Sequence, residues 1–302
     1  MPRASIDIGS NSIVFLVLDD HDGILYDDAT VVSLGKDLAR TQAFLPDRMD
    51  AALDTLNTYA GIAKQHGVGA SEIQAVATSA SRRAGNAAHF YSRVRKETGV
   101  EVRIISGIEE ANLTWQGALF GLPEPAETFA VVDLGGGSTE VVVGQPGART
   151  PSSRISLEMG TVRLMEQFFA PQPADYLVAQ FEEMSAHIAT VVSEVDWAEG
   201  PKTMIAVAGT ATTLAAMELS LDSWDRGAIH GSQLSLGALE TWILSLLHSS
   251  PEQRREWAAV SPKRADILLA GAAVLHALCA ASGVPGLTIS DGGIRHGVLI
   301  EP

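Results

Sequence analysis

The sequence predicts an α/β protein in which one topology occurs twice. Two observations carry this expectation. The stretches SIDIGSNSIVFLVLDD (5–20) and TFAVVDLGGGSTEVVVG (128–144) share one design: an apolar strand ending in Asp-hydrophobic-Gly, a small-residue turn, and a second β-rich run. After each, the same kinds of segment recur in the same order. A third strand-like stretch ends in an apolar-Gly pair, Leu34-Gly35 or Met159-Gly160. The patterns DRMDAALDTLNTYAGIAKQHG (47–67) and DYLVAQFEEMSAHIATVVSEV (175–195) then carry apolar residues at helical spacing. EIQAVATSAS (72–81) and KTMIAVAGTAT (202–212) read as strands entering small-residue turns. Finally VEVRIISGIEEANL (100–113) and GLTISDGGIRHGVL (286–299) each lead a short strand into a helix. Pro123 and Pro125 in GLPEPAET mark the joint. The predicted domains are therefore 1–125 and 126–302, with the last helix able to return to the first.

Composition narrows the function classes. The chain has 302 residues, 46% hydrophobic, enough for a large core in two domains. A formal net charge of −15 argues against nucleic acid or an anionic membrane surface as partner, since both demand a basic footprint. Any polyanionic substrate must be met locally, by oriented backbone N–H groups, a few basic side chains or a cation. The single cysteine, Cys279, excludes an internal disulfide and lies in the apolar run ILLAGAAVLHALCAA, as a buried thiol in a core helix would. MPRASIDIGS enters a strand directly, with no signal-peptide pattern, and a cytoplasmic location is expected.

Consecutive small residues let backbone N–H groups converge on an anion. Because ligands gather at the carboxyl ends of strands in α/β folds, Asp7 with the turn Gly9-Ser10-Asn11-Ser12 is expected on one wall of an interdomain cleft. Asp133 with Gly135-Gly136-Gly137-Ser138 is expected on the other. Gly209 and Thr210, in the turn after 202–207, are assigned to phosphate binding as well. An aspartate beside a phosphate loop repels phosphate, so Asp133 and Asp7 read as ligands of Mg²⁺, with Mn²⁺ the alternative. Arg82, following a strand at the turn into a helix, suits bidentate phosphate contact; Arg83, Lys36, Arg40 and Arg295 are weaker candidates. The eight histidines have no metal-ligand spacing, and neither a P-loop nor a Gly-x-Ser-x-Gly elbow occurs. Water is then the expected nucleophile, and it needs a base.

ISGIEEANLTWQG (105–117) offers two adjacent glutamates for that task. Ser106 precedes Glu109 by three residues, the spacing of a capping box, so Glu109 is expected to reach back to the Ser106 N–H. Its side of the helix continues with Asn112 and Gln116, a solvent-type face. Glu110 points about a hundred degrees away, toward Leu113, Thr114 and Gly117. A carboxylate there suits a base that accepts a proton from water.

The stretches DIGSNS, LGKDLARTQAFL, ATSASRRAGN, ISGIEEANL, VVDLGGGSTEVVVG, MGTVRL, VAGTATTLAA and ISDGGIRHGVL, spanning 5–299, together resemble the exopolyphosphatase/guanosine pentaphosphate phosphohydrolase (Ppx/GppA) family. The resemblance implies two ribonuclease-H-like domains of the actin-like ATPase superfamily with a cleft between them. It also implies Mg²⁺-dependent release of orthophosphate from inorganic polyphosphate ends, or removal of the terminal phosphate of pppGpp. By the same resemblance Glu110 is the base, Asp133 and its glycine loop bind metal and phosphate, and Arg82 contacts phosphate. Some members continue into C-terminal helical domains. This chain resembles a short form without them, and a homodimer is the expected way to extend the cleft. The strong acidity points toward shorter chains or a nucleotide. The alternatives are an actin-like-fold kinase, in which SGIEEA has no evident role, and a non-catalytic polyphosphate or alarmone sensor; a filament-forming relative is supported by no feature.

Overall fold

The computed structural model describes residues 1–300 except 22, 149, 170–177, 258 and 263. By its internal contacts the chain forms two units, Met1–Gly117 joined by the segment from Ile294 onward, and Ala118–Gly293.

In the first unit, strands β1 (Arg3–Ile8), β2 (Ser12–Asp19) and β3 (Gly23–Val31) form an antiparallel meander. A short α1 (Leu38–Thr41) and the long α2 (Pro46–Gln65) follow. Next come β4 (Gln74–Ala77), α3 (Ser79–Arg83), α4 (Ala87–Thr98), β5 (Val102–Ile104) and α5 (Gly107–Ala118). β4 and β5 join in parallel on the far side of β1, giving the order β3-β2-β1-β4-β5. α2 starts on Pro46, whose missing N–H costs nothing at a first helical position. It buries Leu53, Leu56 and Tyr59 at helical spacing, among the core residues that include Ile6, Ile13 and Phe15.

The second unit repeats this plan with β6 (Phe129–Leu134), β7 (Thr139–Gly144), β8 (Ser153–Leu157), α6 (Thr161–Phe168), α7 (Val178–Val192), β9 (Thr203–Val207) and α8 (Ala208–Glu218). It then adds α9 (Arg226–Ile229), β10 (Gln233–Ser235), α10 (Leu236–Leu247), α11 (Pro251–Arg255), α12 (Leu268–Ser282) and β11 (Gly286–Ile289), before α13 (Ile294–Ile300) ends the description. The sheet order is β10-β11-β9-β6-β7-β8. Read from β8, the first five strands have the connectivity and the parallel or antiparallel sense of the first sheet. The duplication read from the sequence is thus a duplication of topology, and the fold is α/β with two ribonuclease-H-like sheets. β10 is an extra edge strand with no counterpart in the first half, and its three residues carry no alternation long enough to read. Residues 175–177 of the predicted second long helix lie outside the described residues.

α12 coincides with the apolar run expected to be a core helix, and ten of its fifteen residues are buried, Cys279 among them. Burial pushes the Cys279 thiol up to about 12, leaving it protonated and inert at neutral pH. Among the described residues no helix is long and apolar enough to cross a membrane. α13 belongs to the first unit, where Ile294 and Val298 pack with Val76, Ile105 and Leu113. A Cβ on Gly297 would sit 2.0 Å from the Leu113 carbonyl oxygen, so the two helices meet where a side chain is absent. That contact fixes α5, which carries both glutamates.

Candidate active site

In the first unit the two glutamates divide as their spacing predicts in part. The Ser106 hydroxyl accepts the Glu109 N–H at 3.2 Å, the first half of a capping box. The second half does not form: among the described residues the Glu109 carboxylate pairs with Arg103. Arg103 lies exposed on the neighbouring strand β5 and supplies a charged donor, which outcompetes a backbone N–H.

Glu110 faces inward with buried Leu113, Thr114 and Gly117 and is only 4% exposed. Its Oε2 accepts from Arg82 Nη1 at 2.6 Å, and the same nitrogen donates to the Ile105 carbonyl at 3.0 Å. Arg82 is placed by α3, directly after β4, and its side chain remains about a quarter exposed. A buried carboxylate held by a guanidinium that still reaches solvent is an arrangement able to orient both groups toward a phosphate.

The turn between β1 and β2 closes through Gly9 N–H donating to Ser12 O at 3.0 Å. The turn between β6 and β7 closes identically, Gly135 N–H to Ser138 O at 3.0 Å. The apolar-Gly pairs have a matching task. The Gly35 N–H donates to Ser10 O at 2.7 Å, while Gly160 lies so close to the other turn that a Cβ on it would be 2.5 Å from Gly136 C and Gly137 N. Asn11 is tied to the end of β3, its carbonyl accepting from the N–H groups of Val32 and Ser33. Asp7 sits one residue before the end of β1, opposite Val14 and Val76. Burial, with the Asp7 charge adding to it, pushes the nearby Tyr91 phenol above its ordinary range.

In the second unit Asp133, 9% exposed, stands directly opposite Glu140 in the β6–β7 register, and Glu140 is 1% exposed. Directly opposed residues share a sheet face, so two carboxylates are presented beside the glycine turn. The Ser156 hydroxyl donates to Glu140 Oε1 at 2.7 Å. Asp133 also pairs with Val207 at the end of β9, where α8 begins. Val207, the residue preceding that helix, makes no side-chain cap, and Ala208 adopts a left-handed φ of 71°. Gly209 and Thr210 therefore lie in the uncapped first turn of an eleven-residue helix, where N–H groups and the helix dipole favour an anion.

Two further residues here lie outside the candidates read from the sequence. Glu140 was hidden inside a strand otherwise wholly apolar or small, and that isolation was the available signal. Arg264 lies in a stretch without a motif, yet its guanidinium packs on Gly209 so tightly that a Cβ there would be 1.7 Å from Nη1. Its one polar side-chain contact among the described residues is Thr213 Oγ1, at 3.5 Å. Burial lowers its pKa from the ordinary value, and no carboxylate among the described residues offsets this. An arginine with no acidic partner among the described residues, beside an uncapped helix start, is equipped to receive an anion.

The other basic candidates lead elsewhere. Arg295 is forked onto Asp27 at 2.9 and 3.0 Å, which ties α13 to β3. Lys36 and Arg40 are exposed, and Arg40 pairs with Asp37 at 3.5 Å. At the end of β11, Asp291 pairs with Arg226 at 2.9 Å and its N–H donates to His230 Nδ1 at 3.1 Å. Burial first, then the Arg226 charge, pushes the His230 imidazole below its ordinary pKa.

Comparison with known proteins decides the family. The model of the Ppx/GppA phosphatase family matches residues 15–302. The chain belongs to the Ppx/GppA phosphatase family. It is 32% identical to Exopolyphosphatase 2 of Mycobacterium tuberculosis over 99% of this chain and 97% of that protein. The crystal structure of the Aquifex aeolicus Ppx/GppA family member superposes with a TM-score of 0.82 at 31% identity, covering 99% of this chain and 96% of that one. An exopolyphosphatase from Cytophaga hutchinsonii gives a TM-score of 0.90 at 25% identity, again over 99% and 96%. As a Ppx/GppA protein the chain is a phosphatase.

Proposed function

We propose that this phosphatase hydrolyses terminal phosphoanhydride bonds, releasing orthophosphate from the ends of inorganic polyphosphate. The observation that carries the reading is Glu110, a buried carboxylate clasped by Arg82 in the first turn of α5, beside a second glutamate already committed to Arg103. In this reading Glu110 takes the proton of a water molecule as its oxygen attacks the terminal phosphorus in line. The bridging P–O bond breaks, and its electrons leave with the shortened chain. Arg82 holds Glu110 in place and offsets charge on the phosphoryl oxygens.

In the second unit phosphate is received by Gly209 and Thr210 in the first turn of α8, by Arg264, and by the turn Gly135–Ser138 through N–H groups other than that of Gly135, which closes the turn. In the first unit the turn Gly9–Ser12, closed by the Gly9 N–H, is assigned the same task. The donor set fits Mg²⁺. Among the described residues no group of three or more metal-ligating side chains occurs, whereas Mg²⁺ is ordinarily held by one or two carboxylates plus substrate phosphates and water. Asp133, with Glu140 opposite, would hold the ion, and Asp7 is its counterpart in the first unit. When bound, Mg²⁺ neutralises charge on the phosphate oxygens.

The net charge of −15 favours short chains or a nucleotide polyphosphate over a long polyanion, so pppGpp is the second substrate to examine. The test is orthophosphate release from long polyphosphate, short polyphosphate and pppGpp, with Mg²⁺ and after chelation by EDTA. Release that needs Mg²⁺ and is faster from short substrates is expected. Absence of release from all three, or release indifferent to EDTA, would overturn the reading.

A further inference from the structure

The second unit contains a cavity of about 280 Å³ that the phosphate chemistry does not use. It lies at the opposite end of α8 from Gly209 and Thr210, roughly 15 Å along the helix at ~1.5 Å per residue. Met217 and Leu221 line it together with Trp242 of α10 and Trp257, which follows α11. The two indoles have centroids 6.1 Å apart and planes inclined at 56°, and both residues line the cavity. The Trp242 N–H is already engaged, donating to Glu218 Oε2 at 2.8 Å. What that ring offers a guest is therefore its π face.

Among the described residues the charged side chain that lines the cavity is acidic. Asp222 lines it, and Glu218 stands behind Trp242. α8 ends there with no basic residue in its last turn, so no side-chain cation offsets the negative end of its dipole from within the helix. Among the described residues no lysine or arginine lines the cavity. A phosphate or carboxylate would be repelled by each of these features. A cation with an apolar body would be attracted by all of them, since tryptophan is the best ring for a cation–π contact. The volume lies just under the ~300 Å³ at which drug-sized pockets begin, which restricts the guest to a small molecule.

We propose that this cavity is a binding site for a small organic ammonium cation, separate from the residues assigned to phosphate. The probe is choline, compared with 3,3-dimethylbutan-1-ol, which has the same shape without the charge. Binding to the full chain is followed by the ¹⁵N–¹H indole signals in an NMR titration. Choline should move the Trp242 signal saturably in the millimolar range, and the neutral alcohol should bind at least tenfold more weakly. Trp257→Leu should abolish the choline response. Asp222→Asn, at an exposed position that the fold does not depend on, should weaken choline severalfold and leave the alcohol unchanged. Equal binding of the two probes, no saturable shift with choline, or indifference to Asp222→Asn would each overturn the proposal.

Discussion

Replacing Gly160 by alanine adds a single methyl group, and the structure predicts that the enzyme loses most of its activity. Gly160 adopts φ −144° and ψ 164°, which alanine accepts without strain, so the effect is purely one of space. The new Cβ would lie 2.5 Å from Gly136 C, 2.5 Å from Gly137 N and 2.6 Å from Gly136 O. Contact between such atoms is optimal near 3.5–4.0 Å, so the turn must retreat by about 1 Å. All three obstructing atoms are backbone, and no side chain can swing aside. The turn is also anchored: Gly135 N–H bonds Ser138 O, Thr161 N–H bonds Gly135 O, and the N–H groups of Val162 and Arg163 both bond Gly136 O, at 3.0 to 3.1 Å. Overpacking of this kind costs about 1–3 kcal/mol, equivalent to a fall of a few degrees in the unfolding midpoint of a unit this size. A displacement of about 1 Å in a substrate-positioning element costs on the order of 10²-fold in rate. The assay is orthophosphate release at a temperature well below the measured midpoint, so that lost activity is not lost folding. Gly61→Ala serves as the control, since Gly61 lies in α2 with nothing within 4 Å of an added Cβ. It should raise stability by about 0.5–1 kcal/mol and leave turnover alone. A Gly160→Ala protein with wild-type turnover and an unchanged midpoint would refute the reasoning.

Two further predictions rest on charge. Arg264 lacks an acidic partner among the described residues, so Arg264→Met should leave the midpoint of thermal unfolding unchanged or raised, while phosphate release falls at least tenfold, on the order of a lost charged hydrogen bond; a large drop in stability would mean the guanidinium is structural. His230 should make the second unit sensitive to acid. Its folded pKa lies below the ordinary ~6.5, so as pH falls through 6.5 the unfolded chain binds the proton first and stability declines until the folded form also protonates. Urea midpoints at pH 7.5 and 5.5 should therefore fall further for wild type than for His230→Asn, and equal falls would contradict the assignment.

How much of this was legible beforehand follows from where each signal is stored. The Asp-hydrophobic-Gly turns and the Leu34-Gly35 and Met159-Gly160 pairs are local, and both copies of each were readable, because turn geometry and close approach select small residues. The two sheets share an order because the duplicated segments share hydrophobic patterning. β10 was not legible, since three residues at a sheet edge carry too little pattern. Glu109 was read correctly only as far as local geometry reaches. Its bond to the Ser106 hydroxyl is a feature of helix starts, but the competing Arg103 belongs to a different element. Arg264 shows the same limit. It lies 55 positions from Gly209 in sequence, and only the packing of the chain between them brings a guanidinium onto that glycine.

The proposed mechanism requires separate roles for two adjacent carboxylates. The most direct measurement is orthophosphate release from polyphosphate with Mg²⁺ for wild type, Glu110→Gln and Glu109→Gln side by side. Removing a general base typically costs 10²–10⁴-fold, so Glu110→Gln should fall by that order. Glu109→Gln, which loses an exposed ion pair worth about 0–1 kcal/mol, should stay near wild type. An active Glu110→Gln beside a dead Glu109→Gln would reverse the assignment and remove the base from the mechanism.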